Sequence, residues 1–198
     1  FCAAFPQYIE GVTPNGRSNA TVVYGTKNSA NMEYQYDENW NQTSGPPTVY
    51  YGSELFSAVN NLELASGRDL CYMDQQTYNQ VIVIGSKTAE IFFGKLNPIG
   101  KVLQINGQNF TVVGTYAPRA SNDQQAFSLD CIMVIPYTTR RVLGEQVITE
   151  YYIKAKDSDS INQVITRVGG FLKGIVHTNN GGYTVYSQSY WKASETEY

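Results

Sequence analysis

Gly85-Ser86-Lys87-Thr88 comes nearest to chemistry by residue type. It follows the apolar run Val81–Ile84 and opens a helical pattern, the setting in which backbone N–H groups at a helix start can cradle a phosphate. The spacing denies that reading. Counting back from Lys87, Ser86 and Val81 stand where a phosphate loop needs its two glycines, so the stretch reads as an ordinary strand-to-helix turn. His177 is the sole histidine. Near the end of a helix it suits a solvated residue at the negative pole, with no partner at triad or metal-ligand spacing. The acidic pairs Asp157/Asp159 and Asp37/Glu38 sit in polar turns, without the apolar burial that lifts a carboxyl pKa for acid catalysis. The expectation is no catalytic residue, no metal and no cofactor.

Three cysteines, Cys2, Cys71 and Cys131, show no CxxC or metal-ligand spacing. They allow one disulfide with a leftover thiol, in three pairings, or simply idle thiols. For an exported protein Cys71–Cys131 is the preferred bridge, since both lie inside structured stretches and Cys2 lies at an end. Sequons at Asn19, Asn41 and Asn109 carry weight only where the source glycosylates. The 16 tyrosines are mostly strand-packing residues, with a few available to a peptide- or saccharide-contacting patch.

These residues must be held by elements that a 42% hydrophobic chain can pack. Charged residues make up only 16%, against about 25% in ordinary soluble domains, and Asn, Gln, Ser, Thr and Tyr carry solubility instead. Such a surface suits the outside of a cell. With a net charge of −3 and no Lys/Arg cluster, nucleic acid is excluded as a partner. No apolar run approaches a membrane span.

Val81–Tyr116 organises the rest. Val81–Ile84 reads as a buried strand, Ser86 as the N-cap of a short helix through Phe93, and Asn97-Pro98-Ile99-Gly100 as a turn. Two strands, Lys101–Ile105 and Gln108–Tyr116, meet at Asn106-Gly107, a strong hairpin signal. Around this unit the pattern predicts strands at Ala20–Tyr24, Asn31–Trp40, Thr48–Tyr51, Ile132–Ile135, Val147–Lys156 and Tyr183–Ser187. It predicts helices at Ser53–Leu64, at Thr138–Leu143 and, best of all, from Ile161 to Ile175, where Ile161, Val164, Ile165, Val168, Leu172 and Ile175 share one face. Asp157 and Asp159 lie at the positive end of that last helix, and Gly169-Gly170 predicts a kink or close packing within it. Ala117–Leu129 reads as a long exposed loop. The order is α+β, with residues 51–144 forming a β-rich segment inserted into a domain built from 1–50 and 145–190.

Gly67-Arg68, Asp74, the whole of Val81–Tyr116 with its NPIGK turn and hairpin, and Ile135-Pro136-Tyr137 together resemble the MacB-like periplasmic core domain. Ile9-Glu10-Gly11-Val12, the Ser160–Ile175 helix and Tyr183-Thr184-Val185 are similar to its two ends. The resemblance implies a non-catalytic α+β domain outside the cytoplasmic membrane, between the first and second transmembrane helices of a FtsX-like ABC-transporter permease. It implies a porter-like subdomain and an inserted β-rich one, with the tail from residue 191 leading to a membrane helix. It also implies partners: the permease's own transmembrane helices, a cytoplasmic ABC ATPase, a second permease copy, and an extracytoplasmic protein, peptide or lipid. Export or mechanical signalling would be the outcome. No family role attaches to the Ala117–Leu129 loop or to the added tyrosines. The low charge and abundant Asn and Tyr favour a Gram-positive cell surface over a periplasm. The competing reading is a secreted or lipid-anchored peptide- or glycan-binding protein.

Overall fold

A computed structural model of the chain describes residues 5–121, 123–144, 147–176 and 182–187. His177, and Cys2 with the tail from residue 191, lie outside them. In chain order the strands and helices are β1 (Ile9–Pro14), β2 (Gly16–Ser18), β3 (Val22–Tyr24), β4 (Lys27–Asn28), β5 (Gln35–Tyr36), β6 (Gln42–Ser44), β7 (Thr48–Gly52), α1 (Phe56–Val59), β8 (Leu64–Gly67) and α2 (Tyr72–Gln76). There follow β9 (Val81–Ile84), α3 (Ser86–Phe93), β10 (Val102–Ile105), β11 (Gln108–Tyr116), α4 (Asp123–Asp130), β12 (Ile132–Pro136), β13 (Tyr151–Ala155) and α5 (Ile161–Ile175).

The chain divides into two compact units, Phe1–Val12 with Ile153–Tyr198, and Thr13–Tyr152. The middle is thus inserted between the ends, but the joints fall at 12/13 and 152/153 rather than at 50/51 and 144/145. Backbone pairing explains the difference: β2 hydrogen-bonds to β7 and β3 to β10, which ties residues 13–50 to the larger unit.

In that unit nine strands form one mixed sheet, ordered β2-β7-β12-β9-β11-β10-β3-β4, with β8 paired to the far end of β11. β9 lies near the middle, and its β-branched run is buried on both faces. Ile82 and Ile84 pack with Phe92, Phe93, Leu103, Phe110, Met133 and Ile135. Val83 faces the other way, toward Phe56, Leu62, Leu70, Ile132 and Val134. A strand covered on both sides reads as unbroken hydrophobicity, which is why Val-Ile-Val-Ile shows no alternation. β9 runs parallel to β11 and antiparallel to β12. The chain returns from β9 to β11 through α3, the turn and β10. Gly100 at φ +81 completes that turn, and Lys101 N–H donates to the Pro98 carbonyl at 3.0 Å. Asn106 and Gly107, at φ 48 and 79, supply the two left-handed residues of a two-residue hairpin, placing Ile105 opposite Gln108.

In the smaller unit β1 and β13 pair. Val164 and Val168 of α5 bury against Ile9, Tyr8, Ile153 and Ala155. The i, i+4 spacing read from sequence therefore marks the packed stripe. Asp157 holds the start of α5 by accepting the Ser160 N–H at 2.7 Å.

Several elements differ from their predicted form. Gly85, not Ser86, is the N-cap of α3, because a side chain at 85 would overlap the Asp130 carbonyl. The Ser53–Leu64 helix shrinks to α1. Ser53 Oγ accepts the Leu55 N–H, Asn61 turns left-handed at φ 54, and Leu64–Gly67 becomes a strand along β11. Asn31–Trp40 keeps only the two-residue β5, with Tyr34 and Tyr36 exposed instead of half-buried. α4 forms within the predicted Ala117–Leu129 loop, and residues 182–187 make no strand. α5 is assigned as one helix through Gly169-Gly170, where a Cβ would meet open space. Close packing is therefore not the reason for these glycines.

Candidate functional site

The α3 start is filled by the protein itself. Gly85 N–H and Thr88 Oγ1 both donate to the Ile132 carbonyl, at 2.8 and 2.9 Å. Lys87 is paired with Glu90 at 2.9 Å and lies over the Phe127 ring. The group that would contact a phosphate is thus bound to a carboxylate, and the β12 approach occupies the glycine's open side. The hollow beside it, lined by Ser86, Lys87, Glu90, Pro118 and Asp130, contains no nucleophile and base set to work together. Asp130 accepts the backbone N–H groups of Arg119 and Ala120 at 2.9 and 3.0 Å. It closes the loop between β11 and α4.

The densest polar cluster lies between β8 and α2, around Gly67-Arg68 and Asp74. Asp74 is 1% exposed. Its carboxylate accepts from Arg68 Nη1 and Nη2 at 2.7 and 3.1 Å, from Cys71 N–H at 2.9 Å and from Asn79 Nδ2 at 3.1 Å. Burial pushes this carboxyl up, but the forked Arg68 guanidinium and the other donors outweigh burial and hold it well below the usual carboxylate range. The same contacts raise Arg68. Cys71 N–H donates to the Asp74 carboxylate and Asp74 N–H to the Cys71 side chain, which caps α2 reciprocally as a capping box. Next to this knot, Asp69 accepts from Ser57 Oγ, from Leu70 N–H at 2.8 Å and from the Tyr116 hydroxyl at 3.3 Å. Burial, then the Asp69 charge, drives the Tyr116 phenol far up. Each acid is saturated by fixed donors. Such an arrangement clamps β8, α2 and β11 together and leaves no group poised to exchange a proton with a substrate. Arg68 and Asp74 were visible in the sequence as motif residues. Asp69, Ser57 and Tyr116 were not, because nothing in their spacing signals contacts across 12 and 47 positions.

Among the described residues no group of three or more His, Cys, Asp or Glu side chains could hold a metal. Of the acidic pairs, Asp37 and Asp157 each serve a turn. Side-chain and backbone hydrogen bonds from Asn41 lower the first, and those from Ser160 lower the second. The Cys71–Cys131 bridge preferred from sequence is not formed. Both thiols are free: that of Cys71 is turned to Asp74 at 3.3 Å, while Cys131 is buried beside Thr88. Burial pushes the Cys131 thiol up to about 11, against smaller pulls from Thr88 and Lys87. Iodoacetamide at pH 8 is expected to modify Cys71 readily and Cys131 at least ~100-fold more slowly, the difference vanishing in urea. Peptide mass spectrometry reads both sites.

With catalysis unsupported by geometry, the fold and its relatives define the domain. The family model for the MacB-like periplasmic core domain matches residues 2–170. The chain belongs to this family. The MacB-like periplasmic core domain is the α+β extracytoplasmic part of an ABC-transporter permease. A macrolide export ATP-binding/permease protein MacB from Aggregatibacter actinomycetemcomitans is 29% identical over 163 residues, covering 80% of this chain and 22% of the relative. Its counterpart from Campylobacter fetus is 36% identical over 109 residues, 54% of this chain and 16% of the relative. The chain therefore spans about a fifth of the length of the curated relatives it matches. Among solved structures, the periplasmic region of MacB from Actinobacillus actinomycetemcomitans superposes with a TM-score of 0.68 at 22% identity, covering 96% of this chain and 78% of that one. The extracellular domain of YknZ, a noncanonic ABC-type transporter from Gram-positive bacteria, gives 0.61 at 19% identity over 84% and 77%. These likenesses show the MacB-like fold. No helix among the described residues is long and apolar enough to cross a membrane.

Proposed function

We propose that this MacB-like periplasmic core domain carries ATP-driven motion of its permease to the outside of the cell, and that hydrolysis belongs to a cytoplasmic ABC ATPase. The observation that carries the reading is the family match across residues 2–170, which takes in the whole of the larger unit and the smaller one as far as Gly170. The construction supports it. A sheet whose central strands β9 and β12 are buried on both faces and which is clamped at Arg68–Asp74 resists deformation, as a part that passes on displacement must. The smaller unit, built from both ends of the described chain, stands as the porter-like subdomain, and Thr13–Tyr152 as the β-rich insertion. The permease's transmembrane helices, a second permease copy, and an extracytoplasmic protein, peptide or lipid are the partners in this reading, with export or mechanical signalling as the outcome. The low charge and many Asn and Tyr side chains support a Gram-positive cell surface over a periplasm. The alternative, a secreted or lipid-anchored binding protein, draws on the exposed tyrosines.

The test uses the complete gene expressed with its ATPase. Replacing residues 13–152 by a short Gly-Ser linker is expected to leave membrane assembly and basal ATP hydrolysis intact while abolishing transport or signalling. Undiminished output from the deletion, or a complete gene without membrane spans, would contradict the reading.

A further inference from the structure

In the β5–β6 hairpin, turn geometry and sequence disagree. Asp37 N–H donates to the Asn41 carbonyl at 3.0 Å and Trp40 N–H to the Asp37 carbonyl at 3.1 Å. The Asp37 carboxylate accepts the N–H groups of Asn39 and Asn41 at 2.8 and 2.9 Å and the Asn41 amide at 3.0 Å. This tightly bonded loop puts Trp40 in the left-handed region at φ 62, the position that glycine or asparagine fills at least cost. A bulky residue there is a genuine outlier, and burial does not compensate it, since Trp40 is 84% exposed. Tyr36 lies next to it, 53% exposed, with ring centroids 6.4 Å apart and planes tilted by 48°. Tyr34, one residue before β5, is also exposed. Hydrogen bonds in the backbone, rather than a core, hold these rings outward. Backbone strain retained at Trp40 without a packing return, beside the exposed Tyr36, points to a recognition element.

The charge around the rings selects the partner. Between Lys27 and Arg68 the chain has no lysine or arginine, while Asp37 and Glu38 fall within the hairpin and Glu33 two residues before it. Glu33 and Glu38 are exposed. Negative carboxylates beside open aromatic faces repel phosphates and anionic lipid headgroups, and attract guanidinium and ammonium groups through ring and charge together. A neutral saccharide could stack on the rings and donate hydroxyl hydrogen bonds to the carboxylates, but it would gain no charge–charge attraction from them.

We propose that the β5–β6 hairpin is a docking surface for a Lys/Arg-bearing segment of an extracytoplasmic polypeptide, whose cationic side chains lie over Trp40 and Tyr36 and pair with Glu33 and Glu38. The inference names the kind of partner the proposed function calls for. Its test needs no ATPase, so its failure and the failure of that reading are distinguishable.

The test is calorimetric titration of the whole 198-residue chain with an acetylated (Arg-Ala)4 peptide, its (Glu-Ala)4 counterpart and chitohexaose. The basic peptide is expected to bind, with affinity falling as salt rises. Trp40→Gly should weaken binding about five- to ten-fold, and the Glu33→Gln/Glu38→Gln double variant about three-fold or more. Trp40→Gly should also melt at or above the wild-type temperature, because glycine relieves the left-handed strain. This separates a binding role from a structural one. The proposal is overturned by wild-type binding in Trp40→Gly, by a lower melting temperature in that variant, by equal binding of the acidic peptide, or by binding of the saccharide alone.

Discussion

Arg68→Ala is expected to destabilise the larger unit by about 2–3 kcal/mol, more than a half-exposed arginine would ordinarily cost. The loss falls on its partner. Asp74 is almost fully buried and takes both guanidinium arms, so truncating Arg68 leaves a desolvated carboxylate supported only by Cys71 N–H, Cys71 Sγ and Asn79. The value falls at or below the lower end of the about 3–5 kcal/mol seen when buried pairs are broken, because Arg68 is about half exposed and water can partly replace it. Asp74→Asn should lose a similar amount at pH 7. Acidification narrows the gap between the wild type and Asp74→Asn. The folded-state pKa of Asp74 is depressed, so its contribution is fully present above the unfolded value of about 4 and drains away as pH falls from there toward the folded pKa. Urea midpoints between pH 6 and pH 2 should therefore decline more steeply for the wild type than for Asp74→Asn, and the two curves should converge at the acid end. Parallel curves would show that the pKa of Asp74 is not depressed in the fold.

Gly114→Ala is expected to cost still more, about 3 kcal/mol or above. Gly114 on β11 pairs with Gly67 on β8, next to a register shift on each side of β11. A methyl group at 114 would overlap the Arg68 carbonyl, and one at 67 would overlap the Val113 carbonyl. Two glycines facing each other let β8 cross tightly over the end of β11. That crossing places Arg68 N–H 2.8 Å from the Val113 carbonyl and aims its side chain at Asp74. A methyl group at 114 must push the strands apart and take the ion pair with it, so Gly114→Ala and Arg68→Ala should be markedly less than additive. Gly169→Ala is the contrasting control. That glycine sits inside α5 with open space around its absent Cβ, and the substitution should stabilise the smaller unit by about 0.5–1 kcal/mol. Thermal melts of the three single variants and the double variant check these outcomes together.

What the sequence made legible follows from how local each signal is. Val81–Ile84 and the Asn106-Gly107 turn each announce themselves within a few residues and form as read, because propensity, turn chemistry and burial agree there; the α5 stripe does so at Val164 and Val168, while Ile175 at its end is exposed. Leu64–Gly67 misled because its strand state comes from β11, some fifty positions away, and no local pattern carries that information. Tyr34 and Tyr36 misled for the opposite reason. Alternation over Asn31–Trp40 promised a buried face, but only β6 pairs with β5, so the apolar side is left in solvent. The motif residues Arg68 and Asp74 were legible as a resemblance and became physical only when the fold closed one around the other. The Asp69 cluster and the strain at Trp40 needed coordinates, since both depend on backbone geometry that residue types do not encode.

The proposed function requires that motion powered by ATP reach this domain. Cys71, exposed where Cys131 is buried, offers a native labelling position. The complete permease with Cys2→Ser, spin-labelled at Cys71 and reconstituted with its ATPase in proteoliposomes, gives by double electron–electron resonance the distance between labels of the two permease copies. The account predicts one distance distribution without nucleotide and a shifted one when ATP is trapped, with the shift abolished in a hydrolysis- and binding-deficient ATPase. An identical distribution in both states while the ATPase turns over, or no measurable distance between copies, would contradict it.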